Sequence, residues 1–144
     1  MSAASGYSGT PLARRLGIRE GSRVCLRAAP PDYQRLVAPL PPGVRLTRRL
    51  SPAADIFHVF ATRRAGLEAQ LHAALALMRT DAALWVSWPK KASGRPTDIT
   101  EDVVRELALP LDMVDIKVCA VDEVWSGLKL VIRRTARAAR GRPG

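Results

Sequence analysis

Short apolar runs alternate along the chain with segments of helical spacing. The strands predicted at Arg23–Ala28 and Ala82–Trp88 centre on nearly continuous apolar runs, which are typical of strands buried on both faces of a sheet. Asp55–Ala61 is another strong strand candidate, and Val44–Arg48 is a weaker one. Strands buried on both faces need helices on either side, so the pattern predicts a largely parallel sheet.

Helices are predicted between these strands. The clearest spans residues 63–78, where leucines recur every four residues along one face and Thr62 is the expected cap. Thr100–Leu109 is the next, with acidic residues in its positive first turn. Two short helices are expected at residues 11–16 and 32–37, each ended by glycine or proline.

The last two strands are predicted at Val114–Asp122 and Leu128–Arg134. The connection between them is short and contains Gly127, so the two strands must run antiparallel. Only Arg49–Ala54 joins the second and third strands, which is too short for a covering helix. The pattern predicts a three-layer Rossmann-like α/β sandwich, similar to a reduced methyltransferase architecture, with a mostly parallel sheet and a C-terminal antiparallel hairpin.

Length and composition indicate one domain. The 144 residues are 47% hydrophobic, and we expect a flexible segment at 1–9, an α/β domain at 10–134 and a basic, disordered tail at 135–144. The longest wholly apolar run, Ala73–Met78, is far shorter than the roughly 20 residues of a membrane span. Two distant cysteines cannot build a disulfide framework or a closed zinc site. We expect a cytoplasmic protein without a membrane partner.

The chain is strongly basic, but much of the excess lies at one end. Lysine and arginine number 23 against 13 acids, a net charge of +10. Five arginines follow Ile132 with no acid among them, and these supply half of the excess. Such an end can bind nucleic acid weakly and non-specifically through phosphates, or it can simply be solvated.

The turn after the first predicted strand argues against an ordinary nucleotide or S-adenosylmethionine site. Such sites need glycines there, so that the backbone can approach the ligand closely. Residues 28–33 contain Pro30 and Pro31 instead, and each proline adds bulk and removes an N–H donor. We therefore predict no cofactor.

A long loop after Ala82–Trp88 is the candidate anion site. It carries basic side chains and hydroxyl groups, and it runs into the N-terminus of a helix, where amide groups favour an anion. The candidate ligand-binding residues are Ser87, Lys90, Lys91, Ser93, Arg95, Thr97 and Thr100. The alternative is that the lysines are solvated and that the acids of the first helical turn already satisfy the helix terminus.

Tyr7, Trp88 and Trp125 are candidates for stacking on a ligand or for contact with a partner, although aromatic residues beside a sheet more often pack in the core. His58 lies in a predicted buried strand and is expected to be a satisfied core histidine, whereas His72 is expected at the surface. No histidine, cysteine or acid recurs at the spacing of metal ligands, and no nucleophile–base pair is evident. We predict no catalytic and no metal-binding residues.

Three segments together are similar to a family of small bacterial proteins, domain of unknown function 3052. They are Gly6–Leu12, Trp85–Lys91 and Val121–Arg133, and the resemblance covers about residues 6–134. The resemblance implies a bacterial, cytoplasmic, single-domain protein without an assigned substrate. It supplies no catalytic residues, and the arginines after Arg134 lie outside it.

These observations favour a non-catalytic binding or regulatory module that recognises an anionic small molecule or a protein partner. The first alternative is a degenerate methyltransferase-like transferase, which the architecture alone supports. The second is weak, non-specific nucleic-acid binding through the basic tail.

Overall fold

The computed structural model describes residues 10–140, with side chains described up to residue 137. Its strands are β1 (Arg23–Arg27), β2 (Arg45–Thr47), β3 (Ile56–Phe60), β4 (Ala83–Pro89), β5 (Met113–Ala120) and β6 (Trp125–Ile132). Its α-helices are α1 (Leu12–Arg15), α2 (Tyr33–Leu36), α3 (Arg64–Leu77), α4 (Glu101–Ala108) and α5 (Arg134–Arg140). Two single turns of 3-10 helix lie at Lys91–Ser93 and Leu109–Leu111.

The strands form one six-stranded sheet in the order β2-β1-β3-β4-β6-β5. Strands β1 to β4 are mutually parallel, and β6 is antiparallel to both of its neighbours. The predicted fold class, a Rossmann-like α/β sandwich closed by a C-terminal antiparallel hairpin, is confirmed. The connection from β2 to β3 contains no helix, and its shortness allows none.

Each face of the sheet carries its own apolar core. On one face α1 and α2 cover β1, β3 and β4, with Leu16, Tyr33 and Trp85 among the most buried side chains. On the other face α3 and α4 contribute residues such as Leu67 and Val104. All residues of β3 are buried, as the two-sided pattern predicts.

The N-terminus of α3 is capped from a distant part of the chain. The sequence predicts Thr62 as the cap, and this is wrong, because no side chain preceding the helix caps it. Instead, the Arg64 amide donates to Asp98 Oδ1 at 2.6 Å. The Thr62 carbonyl accepts hydrogen bonds from the Asp98 amide and from Thr97 Oγ1. The loop that follows β4 is therefore fastened to the start of α3.

The basic C-terminal segment begins as a helix. Disorder is expected from residue 135, but residues 134–140 form α5, in which Arg137 Nε donates to the Ile132 carbonyl at 2.7 Å. Residues 141–144 and the expected flexible segment 1–9 lie outside the described residues. No helix within residues 10–140 is long and apolar enough to cross a membrane.

Gly127 lies where three elements meet on β6. A Cβ atom there would lie 3.2 Å from the Cys119 carbonyl oxygen and 3.3 Å from both Trp85 Cε3 and Val121 Cγ2. Two of these atoms belong to core side chains and the third to the backbone of the paired strand. The close approach of β6 to Trp85 therefore depends on the missing side chain.

Two glycine-to-alanine substitutions should have opposite effects on the free energy of unfolding. Gly127→Ala should lower it by about 1–3 kcal/mol, because the new methyl group overpacks a closed space. Gly66→Ala should raise it by about 0.5–1 kcal/mol, because a Cβ there meets nothing within 4 Å and alanine favours the helix. Urea denaturation of both variants checks this, and equal stability of the two would contradict the packing described at Gly127.

Candidate functional site

The chain diverges at the carboxyl ends of β1 and β3. After β1 it enters α2 on one face of the sheet, and after β3 it enters α3 on the other face. Because β1 and β3 are adjacent and parallel, the two departures open a crevice between them. Open α/β sheets bind ligands at this kind of switch point.

Two adjoining cavities occupy this crevice, and we call them together the carboxyl-end cleft. The first, of about 430 Å³, is lined by Ala28, Phe60, Ala61, Thr62, Arg63, Gly66, Gln70 and Trp125. The second, of about 470 Å³, is lined by Ala28, Ala29, Pro30, Pro31, Asp32, Arg95, Asp122, Val124 and Trp125. Both cavities share Ala28 and Trp125, so these two residues stand at their junction.

Trp125 is held in place from two sides. Its ring packs edge-on against Phe60, with ring centroids 5.0 Å apart and an interplanar angle of 87°. Its amide and that of Val124 donate to Asp122 Oδ1, both at 2.8 Å. Trp125 is only half-buried, so its indole offers a fixed aromatic surface to the cleft.

The turn after β1 forms the opposite wall of the cleft. Ala28 adopts a left-handed conformation with φ of 56°, at a position where glycine is the usual residue. The guanidinium of Arg48 donates to the carbonyls of Ala29 and Pro30, at 3.2 and 3.1 Å. Pro30 and Pro31 have no amide hydrogen, so these two positions offer a ligand no backbone donor.

The lining of the cleft contains two arginines and two aspartates. Arg63 lines one cavity and Arg95 lines the other, and both side chains are exposed. Gln70 in the cleft accepts a hydrogen bond from Arg27 Nε at 3.2 Å. Of the two carboxylates in the lining, that of Asp122 already accepts two backbone hydrogen bonds. Arg63 and Arg95 are therefore the lining groups that could bind an anion.

The hydroxyl groups of the predicted anion loop are engaged within the protein. Ser93 Oγ donates to the Lys90 carbonyl at 2.7 Å, and Thr97 Oγ1 donates to that of Thr62. Thr100 Oγ1 caps α4 by accepting from the Val103 amide at 3.2 Å, and Glu101 and Asp102 occupy the first turn. The structure does not gather these groups around a common point.

The charged residues of that loop separate in the same way. Arg95 lines the carboxyl-end cleft, whereas Lys90 and Lys91 line neither of its cavities. The backbone amide of Lys90 donates to the Val124 carbonyl at 2.7 Å, which ties the loop to the turn before β6. The anion site on this loop stays a prediction, and within it Arg95 is the residue that faces a cavity.

The three aromatic candidates have different outcomes. Trp88 is 7% exposed and packs in the core on the face covered by α3 and α4. Trp125 lies at the cleft, and Tyr7 lies outside the described residues. The sequence places Trp125 beside a turn but gives no sign that this turn meets the end of β1.

A buried polar chain behind the cleft was not evident in the sequence. The Tyr33 hydroxyl lies 2.8 Å from His58 Nδ1, and Ser87 Oγ lies 2.8 Å from His58 Nε2. All three side chains are at most 1% exposed, and the His58 ring stacks on Phe60 at 4.4 Å. Burial lowers the pKa of His58 to about 3 and raises that of Tyr33.

The hydrogen bonds among Tyr33, His58 and Ser87 satisfy buried polar groups, and these side chains are inaccessible to ligands. Both ring nitrogens of His58 have partners, as expected for a core histidine. The sequence does not predict the hydrogen bond between His58 and Tyr33, because residue spacing does not show how α2 packs on the sheet. Within residues 10–140, no group of three or more His, Cys, Asp and Glu side chains could hold a metal ion.

No family model and no curated protein matches the chain. Its fold does match solved structures. The tRNA methyltransferase TrmK of B. subtilis aligns with a TM-score of 0.58 and 12% identity over 87% of this chain. TrmN from Thermus thermophilus aligns with a TM-score of 0.52 and 15% identity over 84% of this chain. LepI bound to SAH and a substrate analogue aligns with a TM-score of 0.51 and 13% identity over 85%.

These likenesses establish the architecture of the chain. The chain spans 65% of the length of TrmK, 47% of TrmN and 39% of LepI. At 12–15% identity these likenesses show the fold alone.

The free energy of unfolding should fall with acidification because of His58. The folded state keeps the ring neutral down to a pKa of about 3, whereas the unfolded chain takes up a proton below its ordinary value of 6.5. The contribution of neutral His58 to the free energy of unfolding is therefore complete above pH 6.5. Below pH 6.5 the free energy of unfolding falls by up to about 1.4 kcal/mol per pH unit. Urea denaturation between pH 7 and pH 5, roughly the upper part of this window, measures the slope.

His58→Asn should flatten this slope, because the titrating group is gone. His72→Asn, at the exposed histidine of α3, is the matched control and should leave the slope unchanged. An unchanged slope in His58→Asn would contradict the assignment.

Proposed function

We propose that this chain is a non-catalytic binding module that holds an anionic small molecule in the carboxyl-end cleft, with a planar part of the ligand against Trp125. The observation that carries this proposal is the position of Trp125 at the junction of two cavities, at the switch point of the sheet. A fixed aromatic surface in a crevice with a few polar groups is the usual composition of a small-molecule site.

Two guanidinium groups in the cleft support an anionic ligand. Arg63 and Arg95 reach it from opposite sides of Trp125, through different cavities. Neither guanidinium forms an ion pair with a carboxylate of the described residues. Guanidinium groups suit phosphate and carboxylate because their donors are arranged in a planar fork.

The lining of the cleft supports binding without catalysis. Among the described residues it contains no histidine, cysteine, serine or lysine, and its ionisable acids are Asp32 and Asp122. Asp122 is occupied by the amides of its own turn. A nucleophile with an adjacent base, the arrangement used in covalent catalysis, is not present in this lining.

Methyl transfer is the second candidate. It is favoured by the structural neighbours, of which TrmK is a tRNA methyltransferase and LepI binds SAH. Methyl transfer comes second because of the turn after β1. Pro30 and Pro31 offer no amide hydrogen there, and the carbonyls of Ala29 and Pro30 accept hydrogen bonds from Arg48. We further propose, from the resemblance noted in the sequence, that the chain belongs to the bacterial family of domain of unknown function 3052.

Ligand binding should raise the midpoint of thermal unfolding. We expect a shift with an anionic planar compound from a panel of purine, nicotinamide and flavin mononucleotides. A ligand at 100 times its Kd should add about 2.7 kcal/mol, which is a shift of several degrees for a domain of this size. Arg95→Ala and Trp125→Ala should each weaken binding by about tenfold or more, through a lost charged hydrogen bond or stacking surface.

The double variant Lys90→Ala, Lys91→Ala is the matched control, because these lysines lie outside the cleft. It should bind as the unmodified protein does. Loss of binding in this variant alone would move the site to the loop, and no shift with any compound would refute the binding proposal.

Incubation with labelled S-adenosylmethionine and bulk tRNA separates the two candidate functions. We expect no transfer of label and no thermal shift with S-adenosylmethionine alone, because the turn after β1 offers it few donors. Label in the tRNA that disappears in Trp125→Ala would establish the second candidate in place of the first.

A further inference from the structure

Another cavity, at the opposite edge of the sheet, contains Lys129, which has no partner among residues 10–140. It has a volume of about 360 Å³ and lies at the amino ends of the strands, and we call it the amino-end cavity. Its lining includes Gly17, Arg19, Arg79 and Lys129. None of its residues belongs to the carboxyl-end cleft.

Lys129 occupies an unusual position for a charged residue. It lies on β6, an interior strand, where it pairs with Trp85 of β4 on one side and with Lys117 of β5 on the other. Two like charges directly opposite each other on paired strands destabilise a sheet. A nearby negative charge would offset this repulsion.

The described residues supply Lys129 with no such charge. Its ammonium group forms no hydrogen bond and no ion pair within residues 10–140. Lys117 differs, since its Nζ donates to the Arg15 carbonyl at 2.9 Å. The Lys129 Nζ reaches the turn after α1, where a Cβ on Gly17 would lie 3.8 Å from it.

Two of the three carboxylates that line the amino-end cavity form ion pairs with Arg79. Asp55 and Asp81 both bind Arg79, at 2.8 and 3.0 Å. Glu20 lines the cavity with an exposed side chain and forms no ion pair with the described residues. Burial, followed by the charges of Lys117 and Arg19, lowers the pKa of Lys129.

We propose that the amino-end cavity binds a small phosphate- or carboxylate-bearing molecule, whose oxyanion lies on the Lys129 ammonium on the side of Arg19. Such an anion would offset the positive charge of Lys129, which faces Lys117 across strands β5 and β6.

Isothermal titration calorimetry with inorganic phosphate, pyrophosphate and citrate tests the proposal. We expect one molecule of at least one of these probes to bind per chain. Lys129→Met should reduce the affinity by about tenfold or more, because a charged hydrogen bond is lost. Lys91→Met, the same substitution at an exposed lysine outside the cavity, should leave the affinity within about twofold of the unmodified protein.

Two further measurements distinguish binding at Lys129 from misfolding of a variant and from binding in the carboxyl-end cleft. In the unmodified protein, the NMR titration of the Lys129 side chain should move to higher pH when the probe is added. Arg95→Ala should leave binding of the probe intact, since Arg95 lies at the other edge of the sheet. Equal affinity in Lys129→Met and the unmodified protein, an unmoved Lys129 titration with bound probe, or no binding at about 10 mM would each overturn the proposal.

Discussion

Burial of β3 and β4 on both faces is the constraint on which the rest of the structure depends. Every residue of β3 and nearly every residue of β4 is buried, so each polar side chain on them must find its partner inside the protein. His58 and Ser87 meet this requirement together with Tyr33 of α2. The same contact that satisfies the histidine therefore fixes α2 on the sheet, and α2 in turn sets the course of the turn after β1.

The two edges of the sheet present different chemistry. At the carboxyl ends, the chain departs to opposite faces and leaves a crevice with an aromatic wall at Trp125. At the amino ends, the strands begin from short turns, and charged groups such as Arg79 and Lys129 crowd the surface. In a sheet whose first four strands are parallel, all helix-forming connections leave from one edge, so the aromatic crevice and the charged rim fall on opposite sides.

Fold class followed from sequence because it depends on local patterns: the apolar runs of β1, β3 and β4 and the short link before β6 each carry their own signal. The order of the strands did not follow, because it depends on contacts between distant segments. The cap of α3 did not follow either, because Asp98 caps a helix that begins more than thirty residues earlier in the chain. Of the predicted anion loop, Arg95 reaches the cleft, while Ser93, Thr97 and Thr100 serve the backbone instead. Hydroxyl residues in loops and at helix starts commonly form such bonds, and composition cannot distinguish these from ligand contacts.

The fastening of the loop after β4 has a consequence for access to the cleft. Asp98 and Thr97 bind this loop to the start of α3, and the Lys90 amide binds it to the turn before β6. A hinged lid needs a segment that can swing as a unit, and these bonds hold the loop at both of its ends. A ligand that required this loop to open would therefore have to break these hydrogen bonds first.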